Sequence, residues 1–284
     1  MIEVRFKNSY GEITLGGGNH PLYRILALDG LTMPDVTRNT AKYYGEPGQE
    51  LLYRQVDSRT ITMSIDIVNR GNPASDLIKM QKVLSSPGKL VIRSLMRSRA
   101  IEAECISFNP DIRNQAYQKL ILQFVCDNPY FQDEENTVEY LYTVNNLLKG
   151  TFTLPAVFSQ RINKKIIHNK GDIKTEPVIH LFASDEQANP GAEELITVRN
   201  HTTGQFMKIN HEFSNNETLS VDVPQRRLYS SIEPEKPLYC ITDDTYLSDF
   251  CLATGDNEIE VISDTSRHIS VTVEFNNNYR EAVV

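Results

Sequence analysis

Short apolar runs, each closed by residues suited to a turn, fill the segment from Asn169 to Val223 and leave little choice of fold. After Asn169-Lys-Gly171-Asp172 come Pro177-Val-Ile-His-Leu-Phe182, then Leu195-Ile-Thr-Val-Arg-Asn200, Thr203-Gly204-Gln-Phe-Met-Lys-Ile209 and Leu219-Ser-Val221-Asp-Val223. Runs of this length, punctuated this often, fold as an antiparallel meander. The same rhythm holds from about Val138 onward, with Pro155, Asn189-Pro-Gly191, Asn215-Asn216 and Gly255-Asp-Asn257 as further punctuation. No helical period interrupts it, and residues 184–194 form an acidic loop, so the second half is expected to be an all-β sandwich or barrel.

The first half has a different grammar. Residues 59–69 place Ile61, Met63, Ile65 and Ile67 at every second position with Thr, Ser and Asp between them, the mark of a half-buried strand. Residues 89–95 and 100–108 repeat that character more weakly, while residues 119–126 are apolar on both parities and suit a central strand covered on two sides. One helix interrupts the strands: Asn72 is a natural N-cap, Pro73 suits the first helical position, Leu77, Met80, Gln81 and Leu84 fall on one face, and Pro87-Gly88 stops the run. A single helix among strands packs as a cover on one sheet. The expectation is a mainly β chain with one helix: an α+β domain over residues 1–132, closing on Asn128-Pro129-Tyr130-Phe131 and an acidic linker, and an all-β domain over residues 133–284.

Several function classes are disfavoured. A net charge of −8, from 29 basic and 37 acidic side chains, repels nucleic acid over long range. No run of about 18 apolar residues exists to span a membrane, and the charged N-terminal stretch offers no signal-peptide core, so folding in a cytoplasm is expected. Histidines 20, 168, 180, 201, 211 and 268 lack the short offsets of a metal site, and Cys105, Cys126, Cys240 and Cys251 lack zinc spacing. Reduced thiols are expected, with Cys240 and Cys251 alone near enough in sequence for a hairpin-closing disulfide. Gly16-Gly17-Gly18 lacks the Lys-Ser/Thr of a phosphate loop and suits a turn. Asp243, Asp244 and Asp249 lack the alternating order of a calcium loop. No catalytic, cofactor or metal residue is assigned. Tyr43 and Tyr44, in a polar loop, are candidate interface anchors, and Asn200-His-Thr202 and Asn216-Glu-Thr218 are chance glycosylation sequons.

Many weak motifs in a fixed order carry a resemblance. Gly30, Pro34, Gly48, Arg59, Pro129 and Phe131 resemble the N-terminal pattern of the siphophage distal tail protein family, the siphovirus tail components, with Glu50 standing where that family often has glycine. Asn169, Gly171, Pro177, Thr203, Gly204, Phe250, Gly255, Asn257 and Tyr279 follow the pattern of its C-terminal domain. The resemblance implies a galectin-like second domain and a hexameric ring of first domains at the virion tail tip, assembled in the host cytoplasm. Its partners would be further copies of itself, the tail tube protein, the tail-associated hub protein and a receptor-binding protein. It implies no enzyme, no cofactor, no specific nucleic-acid binding and no membrane, and leaves a channel for DNA, for which an acidic chain is suited. Two other readings compete: a carbohydrate-binding module contacting the cell wall through the sandwich, and a two-acid glycosidase, to which no recognisable site points.

Overall fold

A computed structural model describes residues 2–18, 22–45, 47–67, 73–114, 117–146, 159–162, 164–184, 193–234, 239–263 and 269–282. Two compact units emerge, one of Met1–Glu134 with Tyr279–Val284 and one of Glu135–Asn278. The chain's last residues, Tyr279 among them, thus return to the first unit.

The first unit begins with β1 (Glu3–Asn8), β2 (Gly11–Gly16) and β3 (Tyr23–Asp29), followed by a hairpin of β4 (Val36–Ala41) and β5 (Glu50–Val56). It continues through β6 (Arg59–Ile67), α1 (Pro73–Leu84), β7 (Gly88–Arg93), β8 (Ser98–Asn114), β9 (Tyr117–Cys126) and the short β10 (Phe131–Gln132). The main sheet runs β2-β1-β7-β8-β9-β6-β3, while among the described residues β4 and β5 pair only with each other. β8 turns the corner: Ser98–Ala103 pairs with β7, the strand pairs with β9 from Glu104 onward, and a register shift between Cys105 and Ser107 follows just past the change of partner. A bulge that bends one long strand in this way lets a sheet fold over its own core.

The alternation in β6 does what the pattern demands, burying Ile61, Met63, Ile65 and Ile67. β9 lies between β8 and β6, central as expected, but only Leu120, Leu122, Phe124 and Cys126 are buried, and Ile121 on the other face is 36 % exposed. Its second face therefore lacks the cover that its double-parity apolar run led us to expect. On α1, Met80 and Leu84 enter the core with Leu77 and Val83 against it, whereas Gln81 is exposed. Gln81 is one residue off the buried stripe. The helix end is held by Asn8, whose Nδ2 donates to Val83 O (2.6 Å) and Ser86 O (3.1 Å), and Gly88 passes so close that a Cβ would lie 2.6 Å from Lys7 O. Asn72, the expected N-cap, lies outside the described residues.

The second unit contains β11 (Thr137–Asn146), β12 (Ser159–Ile162), β13 (Lys164–Asn169), β14 (Val178–Ala183), β15 (Glu194–Asn200), β16 (Phe206–His211), β17 (Thr218–Asp222), β18 (Arg227–Ser230), β19 (Gly255–Ser263) and β20 (Ile269–Phe275). They form a six-stranded sheet, β12-β11-β20-β14-β17-β18, and a four-stranded sheet, β13-β19-β15-β16. One core joins them: Ile179, Leu181, Val271 and Val273 from the larger sheet meet Ile196, Val198, Val261 and Ile209 from the smaller. The expected short strands are present, but they do not form the expected meander: of the strands in residues 169–223 only β15 and β16 pair as chain neighbours, and the rest alternate between two sheets, because each sheet needs the other's apolar face to cover its own. Pro155 and Asn189-Pro-Gly191 lie outside the described residues.

Candidate functional site

In the first unit the family-pattern residues converge on a buried cation. Arg59, 3 % exposed, donates from Nε to Pro129 O (2.7 Å), from Nη1 to Gly30 O (2.6 Å) and Thr32 O, and from Nη2 to Arg280 O (2.6 Å). Its guanidinium also lies over the Phe131 ring at 4.6 Å. Burial pulls its pKa down from the usual arginine value, with Cys126 and Asp35 opposing, yet a guanidinium stays charged. One side chain thereby ties together three stretches of chain remote in sequence. Gly30 is required there: its φ is +87°, and a Cβ would meet Thr60 O at 2.2 Å. Tyr279 sits nearby in the same unit, its ring under the Arg99 guanidinium at 3.5 Å and its hydroxyl 3.3 Å from Asp133. Pro34 is buried, and Gly48 occupies an open turn at φ +99°.

In the second unit the pattern residues meet through neutral amides. Asn169 donates to Ile173 O (3.1 Å) and Leu252 O (3.2 Å), while its Oδ1 accepts from Gly171 N (2.9 Å). Asn257, fully buried, donates to Ala253 O (2.8 Å) and Gly255 O (3.0 Å) and accepts from Ala253 N and from Asn200 Nδ2. Asn200 also donates to Cys251 O (2.9 Å) and accepts from Thr202 N (3.0 Å) and Thr203 N (3.4 Å). Around these amides, Gly204 and Gly255 take positive φ, Pro177 is buried and Phe250 enters the core. The sequence reading missed Asn200, taken for a chance sequon, and Asn277, whose Oδ1 accepts from Lys170 N (2.9 Å). For Asn200 the available signal was an asparagine opening a turn, where its side chain bonds backbone two residues on; the bond of Asn277 reaches across the chain and has no local signal.

Two chains of groups have the connectivity of catalytic relays. Cys240 Sγ lies 3.2 Å from His211 Nδ1, and His211 Nε2 lies 2.9 Å from Glu217 Oε1, all three being largely buried. Burial first, then Glu217 and Glu193, pushes the Cys240 thiol up, so it stands protonated and donates to the imidazole. Glu217 is held by Ser230 Oγ (2.6 Å) and Ser214 N (2.7 Å) as well. Although burial opposes it, these hydrogen bonds and that of His211 hold its carboxyl below the usual range. The arrangement links the end of β16 to Glu217 ahead of β17 and to the Cys240 segment. The second chain, Ser220 Oγ to His180 Nδ1 (2.9 Å) and His180 Nε2 to Glu274 (3.4 Å), lies on the outer face of the larger sheet with Ser220 only 4 % exposed. Cys240 and Cys251 are free, the former facing His211 and the latter Gln205, so the hairpin disulfide is absent. Asp244 is paired with Lys208, and no group able to hold a metal ion occurs among the described residues.

Tyr43 and Tyr44 are exposed, and they sit at the β4–β5 hairpin beside three further exposed side chains, Leu51, Leu52 and Tyr53.

Comparison with known proteins connects these features. Residues 170–279 match the sequence profile described as the siphovirus-type tail component, C-terminal domain. No curated protein sequence matches the chain. Its fold is similar to the crystal structure of SPP1 Dit (gp 19.1), described as a paradigm of the hub adsorption apparatus in Gram-positive infecting phages, with a TM-score of 0.65 at 10 % identity over 97 % of this chain and 99 % of that one. A chain of the phage P2 baseplate in its activated conformation with Ca gives a TM-score of 0.52 at 11 % identity, covering 96 % and 98 %. By profile across most of its second unit and by fold over nearly its whole length, the chain is similar to the distal tail components of siphophages, the resemblance its ordered motifs carry.

Proposed function

We propose that the chain is a structural, non-enzymatic subunit of a phage tail tip, its first units forming a hexameric ring between tail tube and tail-associated hub, with a channel for DNA. The β4–β5 hairpin is the observation that carries this reading. Among the described residues it pairs with no other strand, and Leu51, Leu52 and Tyr53 are 46 %, 56 % and 51 % exposed. An isolated two-stranded hairpin is marginal in water, and one that shows apolar side chains to solvent is stabilised when a neighbour covers them. Supporting it, the profile and fold likenesses are to proteins of tails and baseplates. Native mass measurement and negative-stain imaging test it: six-copy rings are expected, and replacing residues 42–49 and the three exposed side chains by a short polar turn should leave monomers. Solitary particles at high concentration, alone and with tube and hub partners, would overturn it.

A second reading, glycan contact by the sandwich, is favoured by one observation. Tyr140, Thr272, His180, Ser220 and Tyr229 stand opposite one another across five adjacent strands, a hydroxyl-rich row with an exposed tyrosine at each end. Binding of neutral cell-wall oligosaccharides that Tyr140→Ala and Tyr229→Ala abolish would establish it, and a flat titration with the native protein would reject it.

A further inference from the structure

Two sets of charged side chains in the first unit lack opposite partners. On the hairpin, register sets Arg38 directly across from Arg54, and both are exposed. Like charges so placed weaken a strand pair. Among the described residues neither guanidinium makes an ion pair or a side-chain hydrogen bond. Glu50, on the same hairpin, is bonded by the Tyr43 hydroxyl instead (2.8 Å), and Asp57, just past it, by the Thr37 hydroxyl (2.6 Å). Two unmatched cations therefore sit on the element that already shows Leu51, Leu52 and Tyr53 to solvent.

The second set lies on the outer face of β8 and β9. Glu102 and Glu104 are exposed at alternate positions of β8, and Ile106 follows at the bulge, 59 % exposed. Neither acid makes an ion pair or a side-chain hydrogen bond among the described residues: Lys89, opposite Glu102 in register, donates to Glu134 O (2.7 Å). Val125 stands opposite Glu104, and Gln123 and Ile121 continue that face along β9. Ile121 is the side chain whose cover the double-parity run of β9 led us to expect. Lys119 lies at the far end of β9, opposite Asp66 and Asp111 in register. Two acids beside two isoleucines thus complement two arginines beside two leucines.

We propose that the β4–β5 hairpin of one copy lies across the outer face of β8 and β9 of a second copy, with Arg38 and Arg54 on Glu102 and Glu104 and the exposed leucines against Ile106 and Ile121. This rests on the ring reading, in which a neighbour covers the hairpin, and names the surface that covers it. A guanidinium fork matches a carboxylate in two parallel hydrogen bonds, so each arginine finds a partner and the repulsion between them ends. The occupant is another copy because this chain supplies both halves, and among the described residues no hydrogen bond or ion pair joins them within one copy. Hairpin and sheet face are different surfaces, so the contact is heterologous, and contacts of that kind close into rings when the rotation per copy fits.

The test is exchange of charge between copies, read by native mass measurement on the full-length protein. One variant is Arg38→Glu/Arg54→Glu and the other Glu102→Arg/Glu104→Arg; all four positions are exposed, and unchanged circular dichroism and melting check that both fold. Each alone sets like charges against each other and should raise the concentration for half-assembly at least about tenfold. Mixed, they restore opposite charges at every contact of an alternating ring, and six-copy particles holding three of each variant are expected. Variants that each assemble like the native protein, or a mixture of folded variants that stays unassembled, would overturn the contact and leave the ring. Monomers alone from the native protein would overturn both. In otherwise native protein, p-benzoylphenylalanine in place of Leu52 should cross-link to residues 102–106 or 121–125 of another copy; cross-links only elsewhere, or only to tube or hub protein, would also overturn the contact.

Discussion

Each unit gathers remote segments around buried polar side chains, but the first uses a cation and the second uses amides. Arg59 brings five donors and one charge to backbone carbonyls from the 30, 130 and 280 regions. Asn169, Asn200 and Asn257 are each both donor and acceptor, so they can bond one another and the turns beside them. The difference sets how damage spreads. Without Arg59 several carbonyls lose their donor together; loss of one amide strands a smaller set, and the remaining asparagines still hold their own turns.

That contrast breaks first at Arg59. Arg59→Met is expected to cost about 3–5 kcal/mol, since it strips donors from buried acceptors and ends the contact with Phe131. Urea unfolding of the full chain should show it in the first unit's transition, and a loss below about 1 kcal/mol would mean that the carbonyls are solvated without it. Asn257→Leu should follow at about 2–3 kcal/mol, confined to the second unit, because Ala253 N and the Ala253 and Gly255 carbonyls lose their partner. Hydrogen exchange that rises equally in both units would break the claim that the two clusters are separate.

The smallest effect depends on pH. Glu217 has a folded pKa below its unfolded one, so the unfolded chain binds more protons between the two values. Its contribution is present above the ordinary carboxylate pKa of about 4.3 and is lost as pH falls through the lower folded value. Glu217→Gln should therefore lower the second unit's melting temperature at neutral pH, with the gap to native protein closing on acidification. A gap that widens toward low pH would reverse the sign and reject the assignment.

How much of this was legible follows from range. The alternation of residues 59–67 announced β6, and the turn residues of 169–223 announced short strands but not their pairing, because period and turn chemistry act over a few neighbours whereas strand partners are chosen across the chain. Gln81 was placed on the buried face, where Val83 packs instead, since the helix's exact rotation against β1 and β2 depends on partners far along the chain. The β4–β5 hairpin gave only its two tyrosines, as exposed strands carry no buried stripe to read. Gly30, Arg59, Pro129 and Phe131 each stand out in the sequence, yet nothing in their spacing says that one guanidinium collects the carbonyls of Gly30 and Pro129 and covers the Phe131 ring.

Local order therefore fixed the class of fold, a β-rich chain with one helix, while the return of Tyr279–Val284 to the first unit is not written in it. Tertiary structure alone decided which residues meet. The buried Arg59 must satisfy its donors wherever the folded chain offers carbonyls, and which carbonyls those are is a consequence of closing loops that no local pattern encodes.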